Sequence, residues 1–182
     1  MQKYLRAFIL LLAVFACSPW ASAQRVALKT NVIDWLTLSP NLTLEGRLSR
    51  HWSLQFGVAT NPTHIKIADF QSTNFRVEPE LRYWFNRPMA RHFLGLSATA
   101  ALYNMHGKKH VYTGDAVGFG LSYGYAVVIS DHWNFEAELG LGIANFSGKR
   151  YPTGEKAPAQ KNWNTWQPVP IRLGVTFAYV FK

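Results

Sequence analysis

Ser130-Asp131-His132-Trp133-Asn134-Phe135-Glu136-Ala137-Glu138-Leu139 is the stretch that decides the fold. After a polar turn, Trp133, Phe135, Ala137 and Leu139 alternate with Asn134, Glu136 and Glu138. This period of two sends apolar side chains to one face of a strand and polar ones to the other. The same words recur upstream. Ser49-Arg50-His51-Trp52 opens the run Trp52-Ser53-Leu54-Gln55-Phe56-Gly57-Val58, and Ala90-Arg91-His92-Phe93 opens a third. The histidines fall 41 and then 40 residues apart. Alternation inside a repeat of about forty residues marks successive β-hairpins, each with a tight turn at one end and a longer connection at the other.

Working outward from these runs gives eight strands, at 25–33, 42–48, 52–61, 75–85, 92–104, 116–128, 133–146 and 169–181. Gly, Pro, Asn and Asp punctuate the gaps, and no helical period of useful length follows the leader. The connections 49–51, 86–91 and 129–132 are short, whereas 34–41, 62–74, 105–115 and 147–168 are long. Strict alternation with an even strand count puts both chain ends on the short-turn side, the plan of an outer-membrane barrel. About ten residues at ~3.4 Å each, tilted by ~45°, rise roughly 24 Å, close to the ~25 Å apolar band of such barrels. The expected fold is therefore all-β: an eight-stranded antiparallel up-and-down transmembrane barrel over 24–182, preceded by a cleaved signal peptide at 1–23.

The leader carries Lys3 and Arg6, an apolar stretch from Ala7 to Ala16, and an A-x-A site at Ala21-Ser22-Ala23. Its apolar stretch is too short to span a bilayer. The competing lipoprotein box, Val14-Phe15-Ala16-Cys17, holds a phenylalanine that suits it poorly. Cys17 is the single cysteine. Cleavage after Ala23 would leave no thiolate for a disulfide, a nucleophile or a metal. The chain carries 19 Lys and Arg against 10 Asp and Glu. An exported chain does not routinely meet nucleic acid, so the placement of that charge matters more than its sum.

An eight-stranded barrel can also be a soluble lipocalin-like cup, with the apolar faces turned inward. Three features favour the membrane. The polar faces carry Glu45, Arg47, Gln55, Arg76, Glu78, Glu80, Arg82, Glu136, Glu138 and Arg172, a near-balanced set suited to closing on itself across a narrow lumen. Lys66, Lys108, Lys109, Lys149, Lys156, Lys161 and Lys182 avoid the strands, whereas water-facing strand surfaces use lysine freely. Trp52, Phe85, Phe93, Trp133 and Phe181 stand at the short-turn ends and read as an interfacial aromatic girdle. Three details need accommodation. The apolar phase of 92–104 is shifted by one, which a bulge near Gly95 would repair. Pro79 removes a ladder donor inside a strand. Lys29 must face the lumen or a rim.

Val26-Ala27-Leu28-Lys29-Thr30-Asn31, Ser39-Pro40-Asn41-Leu42-Thr43-Leu44-Glu45 and Val77-Glu78-Pro79-Glu80-Leu81-Arg82-Tyr83-Trp84-Phe85, followed by His92-Phe93-Leu94-Gly95, resemble a known family. It is a set of small Gram-negative, Bacteroides-type outer-membrane proteins grouped as a domain of unknown function. The resemblance implies an outer-membrane barrel, sometimes encoded near fimbrial adhesin genes and sometimes followed by a peptidoglycan-binding domain. A chain ending at Lys182 is not expected to carry that domain. The family has no agreed catalytic residues to transfer. The closing Phe177-Ala178-Tyr179-Val180-Phe181 resembles the C-terminal strand signal read by the outer-membrane assembly machinery, with Lys182 as a departure from the usual terminal aromatic.

The candidate sites follow. Glu45, Arg47, Arg76, Glu78, Glu80, Arg82, Glu136, Glu138 and Arg172 are read as a structural lumen network rather than a pore, because unpaired buried charge costs several kcal/mol and an eight-stranded lumen is narrow. His106, His110 and Asp115 share one connection but are crowded by Lys108 and Lys109, so they are read as solvated and no metal or cofactor is expected. His51, His92 and His132 are read as turn residues beside anchoring aromatics. His64, Asp69 and Ser72 share another connection and are the candidate base, acid and nucleophile of a lipid-A-modifying enzyme, although their spacing enforces no hydrogen bond between them. The last connection offers the best binding surface, with Lys149, Arg150, Tyr151, Trp163 and Trp166 combining cations and aromatics. Those tryptophans could equally sit at the membrane interface.

The function expected from this reading is non-enzymatic: a structural protein or an adhesion or fimbria-assembly accessory of the cell outer membrane, acting through external loops. Its expected partners are outer-membrane lipid and lipopolysaccharide, the assembly machinery and a surface protein. The alternatives are the lipid-A-modifying enzyme, a lipocalin-like periplasmic lipid carrier and a pore.

Overall fold

The computed structural model describes residues 25–61 and 71–181, with the backbone alone for Gln71 and Ser72. The leader, His64 and Asp69, and the Ser72 side chain lie outside what is described. Eight strands, β1 (Val26–Asn31), β2 (Asn41–Arg47), β3 (Trp52–Asn61), β4 (Gln71–Trp84), β5 (Arg91–His106), β6 (His110–Val128), β7 (Trp133–Pro152) and β8 (Trp163–Phe181), close in sequence order into one antiparallel barrel. Closure runs through β1 and β8, from Val26 opposite Phe181 to Asn31 opposite Thr176.

Alternation sets which face is which. Lys29, Glu45, Ser53, Gln55, Glu80, Arg82, Ser97, Ser122, Asn134 and Glu136 are buried inside, while Leu44, Leu54, Phe56, Leu96, Phe119, Leu121, Leu139, Leu141 and Leu173 are exposed outside. The barrel is therefore polar within and apolar without, the reverse of a soluble protein.

The strands are uneven. β1 and β2 have 6 and 7 residues, whereas β6, β7 and β8 have 19, 20 and 19. At ~3.3 Å per residue and ~45° of tilt, the longer strands rise roughly 45 Å, so on one side the wall stands far above the reach of β1 and β2. This corrects two expected loops. The connection expected at 105–115 shrinks to 107–109, and that expected at 147–168 shrinks to 153–162, because β6 and β7 pair as far as His110 opposite Pro152. Pro168 and Pro170 are tolerated because β1 covers β8 only from Thr176 onward, so the upper part of β8 is an edge.

Strand β5 needs no bulge at Gly95: its pairing with β6 is unbroken from Arg91 to His106. The shifted phase is real, and Phe93 points into the lumen, fully buried. Phe93 is thus not part of the girdle, and His92 takes the outward position that Trp52 and Trp133 hold in the other repeats. The register shift lies instead between Gly140 and Leu141, opposite β8. At Pro79 the ladder from β4 to β5 skips from Val77 to Glu80.

One helical turn was not expected. α1 (Val32–Leu36) follows β1 because the Asn31 side chain caps it, accepting a hydrogen bond from the Ile33 amide. Asn31 also donates to Leu173 O at 3.1 Å, and its Oδ1 accepts from the Val175 amide at 3.1 Å. The turn is thereby pinned across the mouth of the barrel at its long-connection end.

Candidate functional site

The lumen is filled in layers. At the short-turn end, the connection 85–90 folds back under the strands. Met89 packs with Ala27 and Val180, and Trp84 with Phe93 and Ala126. Trp84 and Phe93 lie 4.6 Å apart, the Trp84 indole donates to Ser53 Oγ at 2.7 Å, and Asn134 Nδ2 donates to Met89 O at 2.6 Å. Met89 and Arg91 both hold positive φ, at 65°. The inserted turn is paid for in backbone strain.

Above this apolar floor sits an ionic layer to which every strand contributes. Lys29 from β1 donates to both oxygens of Glu136 at 2.6 Å and pairs with Glu45. Arg82 spans the centre, reaching Glu80 at 2.8 Å, Glu136 at 2.9 Å, Glu138 at 2.6 Å and Glu45 at 3.3 Å. Its guanidinium also stacks over Phe93, 4.2 Å from the ring centroid. Glu80 accepts from Gln55 of β3 at 2.5 Å, Ser97 of β5 at 2.7 Å and Ser122 of β6 at 2.5 Å. Arg172 of β8 donates to Glu78 at 2.9 Å. Charges this deeply buried persist only when paired and hydrogen-bonded, and nearly every one here is.

Of the residues read as a lumen network, Glu45, Arg76, Glu78, Glu80, Arg82, Glu136, Glu138 and Arg172 are brought together. Arg47 is not: it stands at the mouth, donating to Ser49 O at 3.0 Å. Lys29 is a central member, and Asp34 of α1, which no strand pattern could reveal, closes the top by pairing with Arg76. Above the ionic layer a cavity of about 240 Å³ is lined by Thr43, Arg76, Glu78, Glu138, Arg172 and Thr176 among others.

Two glycines make this filling possible. A Cβ on Gly95 would strike the Glu80 carboxylate and Ser122 Oγ, and one on Gly124 would strike the Phe93 ring. Gly124→Val is expected to destabilise the barrel by about 1–3 kcal/mol, the usual cost of overpacking. Gly46→Val, where a Cβ meets nothing, should change little. Thermal unfolding of the two variants side by side checks this.

The repeated turn words have a common geometry. His51 stacks on Tyr83 at 5.8 Å and His132 on Tyr179 at 5.7 Å, while Trp52 and Trp133 meet the same tyrosines edge-on at 5.1 Å. The His51 and His132 carbonyls accept from the amides of Trp84 and Val180, each at 2.7 Å. The third histidine, His92, contacts Tyr123 and Tyr125. All three are rim residues, far apart, and form no triad.

At the opposite end, the residues expected in a loop lie on paired strands. Lys149, Arg150 and Tyr151 belong to β7, and Trp163 and Trp166 to β8. Arg150 sits 5.6 Å over the Tyr112 ring, and Tyr112 meets Trp163 at 5.4 Å. Trp163 continues through Phe146 at 6.2 Å to Tyr103 at a further 5.9 Å. These groups line the inward-phase side of the protruding wall, and the Tyr103 hydroxyl is buried there without a partner among the described residues. Trp166 points the other way and is exposed. His106 and His110 are likewise on strands, and Asp115 pairs with Lys161. Among the described residues no group of three or more His, Cys, Asp or Glu is placed to hold a metal ion.

Over residues 8–181 the chain matches the family described as protein of unknown function (DUF3575). The chain belongs to that family. No curated protein and no solved structure matches it.

Proposed function

We propose that this DUF3575 chain is a non-enzymatic outer-membrane barrel of a Gram-negative envelope, a structural or adhesion-type accessory that meets its partners with the protruding wall at its long-connection end. The observation that carries the reading is the inversion of faces. An apolar belt that includes Leu54, Phe56, Leu121, Leu141 and Leu173 surrounds a lumen packed with ion pairs, and such a surface is stable against lipid rather than water. At the short-turn end, Trp52, Tyr83, Phe85, Trp133, Tyr179 and Phe181 form mutual aromatic contacts, as amphipathic rings do at a bilayer interface. A lipid carrier would need the apolar faces turned inward, and a pore would need a lumen not closed by the Trp84–Phe93 floor and the Arg82 layer.

The wall from β5 to β8 supplies the contact surface. Its rim carries Lys108, Lys109, Lys149, Arg150, Lys156 and Lys161, against Asp115 and Glu155. Cations beside Tyr112 and Trp163 suit acidic sugars, lipopolysaccharide phosphate or an acidic protein surface.

The test is electrophoretic mobility of the mature chain from membrane fractions, boiled against unboiled in SDS. A closed barrel with a continuous ladder resists SDS until heated, so a faster unboiled band in the outer-membrane fraction is the expected result. A single band, with the protein in the soluble periplasmic fraction, would overturn the membrane assignment.

A further inference from the structure

The lumen network does not balance. Asp34, Glu45, Glu78, Glu80, Glu136 and Glu138 set six carboxylates against four cations, Lys29, Arg76, Arg82 and Arg172. Among the described residues two negative charges are thus left over, where burial makes an uncompensated charge costly. The cations are already committed. Arg76 is shared by Asp34 and Glu78, Arg172 donates to Glu78, and Arg82 serves four acids.

The excess has a definite place. Gln55 and Glu138 both line the cavity of about 240 Å³ above the ionic layer. Both side chains are more than nine-tenths buried, and Gln55 Oε1 and Glu138 Oε1 have no hydrogen-bond partner. Their other polar atoms are taken. Glu138 Oε2 accepts from Arg82 at 2.6 Å, and the Gln55 amide nitrogen donates to Glu80 at 2.5 Å. The Glu80 and Glu138 carboxyls also lie within hydrogen-bonding reach of each other, and two carboxylates can only accept. Thr43 and Thr176 line the same space, together with Ile33 of α1 and Ile171 of β8. One end of the cavity is therefore rich in acceptors, and part of its wall is apolar.

We propose that this cavity binds a small primary ammonium compound, a cationic amine on a short apolar chain. Buried acceptors that share one space call for N–H donors, and an ammonium group brings three together with a full positive charge. It donates to Glu138 Oε1 and Gln55 Oε1 and offsets part of the carboxylate excess, while its carbon chain lies against Ile33 and Ile171. Water alone would satisfy the acceptors and leave the charge. A metal ion suits the cavity less well. No three His, Cys, Asp or Glu among the described residues are placed to hold one, and the space takes several water-sized molecules rather than a bare ion. This site depends on the lumen alone and not on whether the outer face meets lipid.

The experiment uses the mature chain refolded in zwitterionic detergent, titrated with propylammonium chloride at constant ionic strength and followed by calorimetry. Saturable binding is expected, weakened roughly tenfold or more in Glu138→Gln, which keeps the shape and removes the charge. Ile33→Trp, which fills the cavity from α1 and alters no charge, should weaken it to a similar extent. That variant decides the matter should Glu138→Gln fail to fold. Propanol, with the same chain and no charge, should give no saturable heat, and neither should sodium chloride. The site is overturned by a parent that does not bind propylammonium, by equal affinity in the parent and both variants, or by sodium binding as tightly as the amine. The rival occupant is a proton shared by Glu80 and Glu138. An infrared band of a protonated carboxyl at neutral pH, lost in Glu138→Gln and unmoved by propylammonium, would assign the place to that proton and overturn the amine site.

Discussion

Arg82→Met is expected to lower the unfolding free energy of the barrel by about 3–5 kcal/mol, the cost of removing one partner from a buried ion-pair system. Arg82 is the cation shared by Glu45, Glu80, Glu136 and Glu138. Without it, Lys29 still neutralises Glu45 and Glu136, and Arg172 reaches Glu80 only at 3.8 Å. Glu138 keeps no ion pair among the described residues, and its Oε1 is already buried without a partner. The hydrophobic replacement fills the volume and retains contact with Phe93, so charge is what changes. Glu138→Gln made in the Arg82→Met background should recover part of the loss, because the amide removes the stranded charge. In the parent, Glu138→Gln should be mildly destabilising. Urea unfolding of the four proteins in lipid vesicles gives the coupling energy directly. A loss under about 1 kcal/mol for Arg82→Met would mean that water enters the lumen and screens it as it would a surface pair.

That layer was largely legible before any coordinates, because a period of two fixes the face of each residue once one member of the strand is placed. Glu78, Glu80 and Arg82 share the phase of Arg76, and Glu136 and Glu138 share that of Asn134. The same logic, carried two residues further, puts Trp84 inside. Trp84 went unassigned in the sequence reading, in which only its neighbour Phe85 entered the aromatic girdle. Phe93 was misplaced. The words Ala90-Arg91-His92-Phe93 repeat those of the other turns, but the connection before them is longer and passes through left-handed backbone at Met89 and Arg91, which rotates the chain by one position. Similar residues in a repeat do not guarantee the same face when the turns differ in length.

What the sequence hid were features with no local period. Asp34 reaches the lumen from a single helical turn whose cap, Asn31, reads equally well as the end of a strand. The wall beyond 146 and before 169 is rich in Gly, Pro, Lys and Asn, which is the composition of a loop. Its pairing comes from the long ladder between β6 and β7, and Pro168 lies on the part of β8 that β1 does not cover, where no ladder donor to β1 is needed. Arg47 has the parity of the network yet sits at the mouth, one step past the point where acids are available. Phase predicts direction, and only height along the barrel predicts the partner.

Leu121→Arg is the substitution that best separates a lipid-facing wall from a water-facing one. Leu121 of β6 stands opposite Leu141 of β7, and the two are 68% and 70% exposed. On a protein surface in water, such a change is usually neutral to within about 0.5 kcal/mol, and it removes an exposed apolar group. At the middle of a bilayer the same arginine costs about 2–4 kcal/mol. Leu121 lies seven residues from the end of β6 at Val128, close to half the height of a ~25 Å band. The full cost is therefore expected for the chain folded into phosphatidylcholine vesicles. Val128→Arg, at the rim, should cost between about 0 and 1 kcal/mol, because the side chain can reach the headgroups. The gradient matters more than either value. A soluble barrel predicts two small and similar effects, whereas a membrane barrel predicts a steep loss at Leu121 that fades toward Val128. Equal and negligible effects at the two positions would remove the physical basis for placing this chain in a bilayer, whatever its lumen contains.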